Sequence, residues 1–404
     1  MLLGIILFFF SLDRQIISIL KTTLMTDLGV TNQNYSILVM AFMIPYTFCY
    51  LFSGGIVDRF GSRYLLTVLL IAMSAATLIS GLATSLNWLI AGRVLLGVAE
   101  SGIVPALTLA VFHWFPAERR AFAFQTTNLI QSLGFISGPP FVAWVTLSAG
   151  WRWAFFIPAM AGIIVAVLWF IAAGRAPKVS SNDENAPQQE ASAVPVYQRY
   201  KMVLTSKPIW VLMIARLITD PFWFFYQYWQ TGFMQERLGL SLADVGKLMW
   251  FPPLASVFGV LGACYISDRL VARGCEPTRA RLILIWSVTV LSVFTFMLPS
   301  VTNPIVAVAI MSGINFMCAT WLSMATITMG GLAPSVAIAT AIGIMSALGG
   351  VTSIIFNGFV GTIIDRFGYS VPIYVGGAFH PAAALLLAIY FLRYQQNNTS
   401  AVSR

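Results

Sequence analysis

"RAPKVSSNDENAPQQEASAVPVYQRYK", residues 175–201, is the one long polar stretch in a 404-residue chain. Its Ser, Asn, Gln, Pro and charged side chains describe a flexible linker, because a segment so poor in apolar residues cannot offset the entropy of folding. On either side the composition reverses. The whole chain is 58% hydrophobic and 9% charged, against about 25% charged for a typical soluble domain. Crossing a hydrocarbon core of about 30 Å takes about 20 helical residues. Apolar stretches of that order precede the linker near 2–22, 35–57, 64–84, 86–112, 121–147 and 151–173. Six more follow it near 208–233, 244–266, 281–299, 303–330, 336–363 and 371–392. The expected fold class is an all-α membrane protein of twelve spans in two six-helix halves.

Helices are expected rather than a barrel, since barrel strands alternate polar and apolar over about ten residues and these segments are apolar on every side. The first segment is not a cleavable signal peptide: it lacks a basic start and a small-residue cleavage site and contains Asp13 and Arg14. The chain begins inside a helix, so a short cytoplasmic leader ahead of it is missing or dispensable. The net charge of +9 is not a nucleic-acid footprint. With a cytoplasmic amino terminus, 15 of the 23 Lys and Arg fall on cytoplasmic segments, five on external loops and three inside spans, Arg14, Arg93 and Arg216. That is the positive-inside bias, and it puts both termini in the cytoplasm. Cys49, Cys264, Cys275 and Cys318 lack paired spacing and read as reduced packing residues, with no disulfide, metal site or cofactor.

The halves resemble each other. "LGVTNQNYSILVMAF" from 28 and "LGLSLADVGKLMWFP" from 238 both enter the second helix of their half, and the same offset of 210 residues superposes Asp58-Arg59 on Asp268-Arg269. Parallel six-helix repeats about an axis along the membrane normal describe one class of secondary transporter, with the substrate site between the halves at mid-membrane. The expected domains are 1–174, a linker at 175–207, a second bundle at 208–393 and a cytoplasmic tail at 394–404.

"GGIVDRFGSR", residues 54–63, joins the second and third spans. Here the chain resembles the major facilitator superfamily, whose signature in this loop Gly54, Asp58, Arg59, Gly61 and Arg63 satisfy, with Ser62 where a second basic residue often stands. Gly54 permits a close helix approach, Gly61 a tight turn, and Asp58 an interaction with a helix end. A similar string, "GTIIDRFG" at 361–368, falls on the outside by helix count and is read as structural.

"RVLLGVAESGIVPALTLAVFHWFPAERRAFA" from 93, "GWRWAFF" at 150–156 and "RLITDPFWFFYQYW" at 216–229 resemble the anion:cation symporter family, and within it the bacterial sugar-acid transporters for hexuronates and galactonate. The resemblance covers essentially the whole chain and implies a monomeric carrier in a bacterial inner membrane. Its partners are a small anionic carbohydrate, protons as coupling ion and the lipid bilayer, with no nucleic acid. Glu118, Arg119 and Arg120 in "WFPAERR" are either interdomain salt-bridge partners or a solvated loop.

Six ionisable side chains lie within spans: Asp13, Arg14, Arg93, Glu100, Arg216 and Asp220. Each costs roughly 2.5–3.5 kcal/mol at a helix centre, so they should face a cavity or one another. Arg93 and Glu100 are seven apart, about 700° of turn, which returns them to nearly one face. Arg93 offers a permanently charged planar fork that fits a carboxylate, while Glu100 can change protonation as water or a cation reaches it. The alternative is a static ion pair holding helices together. In the sugar-acid symporters an acid beside an arginine in the first span, with a glutamate in the fourth, forms the proton-coupling network. Asp13, Arg14 and Glu100 match those positions, and Arg14 is expected to exchange partners as protons bind.

The resemblance also implies substrate contacts at Tyr46 and Gln131; Asn128 lies one turn before Gln131 on the same face. In the second half Thr320 and Trp321 of "CATWLSMAT" offer a hydroxyl and an indole that can stack on a sugar-like chain. Arg216 and Asp220, one turn apart, suit a local salt bridge. Arg14 and Arg216 together also resemble the phosphate-gripping pair of organophosphate:phosphate antiporters. Pro139 and Pro140 are read as a helix bend. The expected function is proton-coupled import of an organic anion, a sugar acid, by rocking of the two halves. A membrane-embedded enzyme would need a nucleophile and base or a metal cluster, and the two histidines, His113 and His380, stand far apart without evident partners. A non-transporting sensor is the third class.

Overall fold

The computed structural model describes residues 1–175 and 194–402; most of the expected linker, 176–193, lies outside the described residues. Among those described, twelve helices are long and apolar enough to cross a membrane. The first six are α1 (Leu2–Ile19), α2 (Asn32–Phe60), α3 (Ser62–Gly81), α4 (Leu86–Trp114), α5 (Glu118–Ala149) and α6 (Trp153–Gly174). The second six are α7 (Lys207–Glu236), α8 (Leu242–Ala272), α9 (Pro277–Ser300), α10 (Pro304–Leu332), α11 (Ser335–Phe367) and α12 (Ser370–Phe391). Their boundaries carry ordinary chemical signals. Asn303 caps α10 by accepting from the Ile305 amide at 2.9 Å, and Pro304 follows at the first helical position, where a missing N–H costs nothing. Gly61, with φ +71°, turns α2 into α3, and Gly368, with φ +73°, does the same between α11 and α12. Pro252 and Pro253 restart α8 after a break at Met249 and Trp250.

Packing repeats between the halves. In the first, α1 lies on α5, α2 on α4 and α3 on α6; in the second, α7 lies on α11, α8 on α10 and α9 on α12. Contacts between halves use α2 against α11 and α5 against α8, a pair that the pseudo-two-fold exchanges, together with α1 against α7. The sequence duplication therefore appears as a duplicated bundle.

The expected flexible linker is structured at its end. Val196–Leu204 forms a helix that packs against the start of α11, with Val203 fully buried and Tyr197 exposed. Its amphipathic spacing was hidden in a segment read by composition alone.

The end of the bundle away from the linker, here the far end, is sealed by side chains from both halves. Lys21, which the charge count groups with the external cations, is 0% exposed there. Its ammonium donates to Asn32 Oδ1, to Glu236 Oε1 and, at 2.7 Å, to the Tyr369 hydroxyl, and it sits among the rings of Tyr35, Trp229 and Tyr369. Asp365 Oδ1 accepts from Asn32 Nδ2 at 2.9 Å and Oδ2 from the Gln33 amide at 3.1 Å, so a carboxylate of α11 caps the amino-terminal end of α2. The "GTIIDRFG" string is thus structural, and it acts between the halves.

Candidate functional site

Four of the six ionisable residues expected in spans meet at one place. Arg14 of α1 donates through Nε to Glu100 Oε2 of α4 at 2.6 Å, and Glu100 is 0% exposed. Asp13, on the neighbouring face of α1, accepts from the Thr77 hydroxyl of α3 at 3.1 Å. The 100° step between successive helical residues therefore sends the two side chains to different helices. Arg93 is 2% exposed and lies within electrostatic reach of Tyr228, Tyr35, Glu100 and Asp13. Gly97, midway between Arg93 and Glu100, lets α4 close on α2: a Cβ there would stand 2.9 Å from the Pro45 ring.

The cluster is incompletely satisfied. Nε and Nη1 of Arg93, Nη2 of Arg14, Oε1 of Glu100 and Oδ1 of Asp13 are buried without a hydrogen-bond partner. Leaving one buried polar group unpaired costs about 1–3 kcal/mol, more for a charge. Five such atoms in one cluster are the mark of a place that a ligand, water or proton occupies. Arg14 also lies over the rings of Phe10 at 4.2 Å, Phe42 at 5.2 Å and Tyr46 at 4.5 Å. Tyr46 thus forms an aromatic wall beside the charge network.

Next to this cluster a cavity of about 540 Å³ lies between the halves. From the first half it is lined by Gln15, Gln125, Asn128, Gln131 and Ser132. From the second half its polar lining is Gln227, Gln230, Ser256, Asn315, Ser323 and Thr326. Its lining on α5, α8 and α10 sits at mid-helix and toward the linker end. Gln15 Nε2 donates to the Phe135 carbonyl at 2.7 Å, and Asn315 Nδ2 to Gln230 Oε1 at 3.1 Å, so part of this amide wall is held in place by its own bonds. At the far side the Tyr228 carbonyl of α7 accepts from Ser18 at 3.1 Å and from the Tyr35 hydroxyl at 2.8 Å, which closes the space above the charges.

The remaining expected residues divide. Gln131 and Asn128 line the cavity. Thr320 and Trp321 do not, which corrects their expected role as ligand contacts. Thr320 points at Gly259 in the α8–α10 seam, and the Trp321 indole donates to Thr289 at 2.9 Å beside His380. Neighbouring positions of α10, Ala319, Leu322, Ser323 and Thr326, supply the lining instead. Arg216 and Asp220 form the expected local pair, doubly bonded at 2.6 and 2.8 Å, and Arg216 Nη1 also donates to Thr326 at 3.2 Å.

In the loop motif, the surroundings of Gly54 and the side chain of Asp58 lie outside the described residues. Arg59 is exposed over the Phe60 ring, and Arg63 donates to the Phe170 carbonyl at 3.2 Å, tying α3 to α6 within its own half. Arg120 turns back to the Phe115 and Phe112 carbonyls at the end of α4. Glu118 and Arg119 are exposed, with no ion pair to either among the described residues. The solvated-loop reading therefore holds over the interdomain salt bridge in this arrangement.

Sequence reasoning missed Lys21, Tyr35, Tyr228 and the amides of α7. Gln227 and Gln230 stand three apart in an apolar span, a spacing that puts two amides on one face and could have been found.

Residues 3–339 match the family described as Major Facilitator Superfamily. The chain is 26% identical to a D-galactonate transporter of Escherichia coli O6:H1, covering 89% of this chain and 86% of that protein. It is also 26% identical to a hexuronate transporter of Escherichia coli K12, covering 93% and 89%. A probable galactarate/D-glucarate transporter of Bacillus subtilis is 27% identical over 67% of this chain and 64% of its own length. Among solved structures, a bacterial homologue of the human lysosomal transporter Spinster superposes with a TM-score of 0.74 at 17% identity, covering 96% and 90% of the two chains. A D-xylose-proton symporter superposes equally, with a TM-score of 0.74 at 13% identity over 96% and 95%.

Proposed function

The chain belongs to the major facilitator superfamily and is a transporter rather than an enzyme, and from that premise we propose that it is a proton-coupled symporter importing a sugar acid by alternating access. The observation that carries this reading is the Arg14–Glu100 ion pair beside an Arg93 with unpartnered nitrogens, at a cavity closed toward the far end. Arg93 receives the substrate carboxylate in the planar two-donor geometry of a guanidinium. Gln131, Asn128 and Tyr46 surround the hydroxylated part. Glu100 and Asp13 carry the coupling proton, and protonation of Glu100 releases Arg14 toward the incoming anion.

The linker end, toward which the cavity runs, faces the cytoplasm in this reading, with both termini inside a bacterial inner membrane and the protein working as a monomer. The relatives named for galactonate and hexuronate favour this substrate class. A phosphate-gripping arginine pair is disfavoured, because Arg14 and Arg216 are each already engaged by a carboxylate. Uptake of radiolabelled galactonate and glucuronate into proteoliposomes under an imposed inward proton gradient tests the proposal. Accumulation that collapses with a protonophore is expected; accumulation indifferent to the gradient removes proton coupling.

A further inference from the structure

The membrane-embedded cations are unevenly disposed around the cavity. Arg14 is taken by Glu100 at 2.6 Å, and Arg216 by both oxygens of Asp220 at 2.6 and 2.8 Å. Among the described residues Arg93 is the buried cation of the spans left without a carboxylate bond, and it belongs to the first half. The facing wall from the second half presents amides and hydroxyls, through Gln227, Gln230, Asn315 and Ser323. Such groups both donate and accept, which suits a run of hydroxyls. Arg216 stands directly behind this wall, bonded to Thr326, but Asp220 already compensates its charge. Protonation of Glu100 frees Arg14, which lies on the same side as Arg93, so it adds no cation to the second-half wall.

We infer that the solute carries its charge at one end only: a polyhydroxylated monocarboxylate, an aldonate or uronate, with aldarates and sugar phosphates discriminated against. This rests on the sugar-acid reading above and narrows it. The second carboxylate of an aldarate, or the phosphate of a sugar phosphate, lies at the opposite end of the carbon chain from the group held by Arg93. There it must be desolvated against neutral amides with no opposing charge, a costly burial. A hydroxyl at the same place finds its bonds made, and a site built for hydroxyls rejects a mismatched group strongly.

The test is binding of matched six-carbon ligands to the purified full chain in detergent, followed by intrinsic tryptophan fluorescence. Galactonate and glucuronate should bind at least tenfold more tightly than galactarate, glucarate and glucose 6-phosphate. Asp220→Asn uncovers Arg216 behind the wall without changing side-chain shape, and should raise galactarate affinity so that the gap narrows. An unpaired buried arginine can destabilise that variant, so the wild-type comparison decides by itself. Diacids binding as tightly as monoacids overturn the single-charge inference and leave sugar-acid transport standing. Failure of both classes to bind overturns the transport reading and this inference with it.

Discussion

Lys21 holds the far end shut, and its replacement should open it. In the closed arrangement its ammonium satisfies Asn32, Glu236 and Tyr369 at once, and the last two belong to the second half. Lys21→Met keeps the apolar stem against Tyr35 and Trp229 and removes the donors. A hydrogen bond to a charged group contributes about 1.5–3 kcal/mol net. The Glu236 side chain is 22% exposed, so water screens part of that and the lower end applies. Opening the far end hydrates both groups, so the loss falls on the closed state alone. About 1.5 kcal/mol corresponds to a roughly tenfold shift of the closed-to-open ratio. Spin labels at Thr26 and Arg237, exposed residues on opposite halves at this end, report the separation by double electron–electron resonance. A long-distance population should grow in Lys21→Met and in Glu236→Gln. Distance distributions unchanged in both variants, in protein that remains monodisperse, would refute the assignment of this cluster as an interdomain lock.

Glu100→Gln keeps a hydrogen-bond acceptor for Arg14 but cannot release a proton; proton-driven uptake should fall to background while counterflow exchange persists, and normal pH-driven accumulation would remove Glu100 from the coupling. Arg93→Lys retains charge and loses the planar fork, so sugar-acid affinity should fall by about 1.5–3 kcal/mol, roughly 10- to 150-fold, as read by tryptophan fluorescence titration; unchanged affinity places the carboxylate elsewhere. Trp321→Phe removes the bond to Thr289 inside the second bundle, so it should lower thermal stability by about 1 kcal/mol and leave ligand affinity within about twofold; a large affinity loss at unchanged stability would return Trp321 to the binding site.

The fold was legible because its determinants are local. A span is an apolar run of sufficient length, and the six-plus-six division is a contrast in composition between residues 175–201 and their flanks. The charged core of the site was legible for a related reason. Asp13, Arg14, Arg93 and Glu100 are expensive where they stand, so their presence alone demands that they face each other or a ligand, and they do. Lys21 carries no such signal. It sits just past the end of α1, where a lysine is inexpensive and ordinarily reaches the aqueous interface. Its burial depends on Glu236 and Tyr369, 215 and 348 residues away. Thr320 and Trp321 failed for a different reason. They lie in the right helix, but the α8–α10 seam at Gly259 rotates their faces inward, and sequence fixes that rotation only through a partner helix. Residues that are costly in isolation therefore announce themselves, whereas those that become buried only when the halves meet do not. This transporter's gate belongs to the second kind, because a lock that must break on every cycle has to be built from groups that are equally at ease in water.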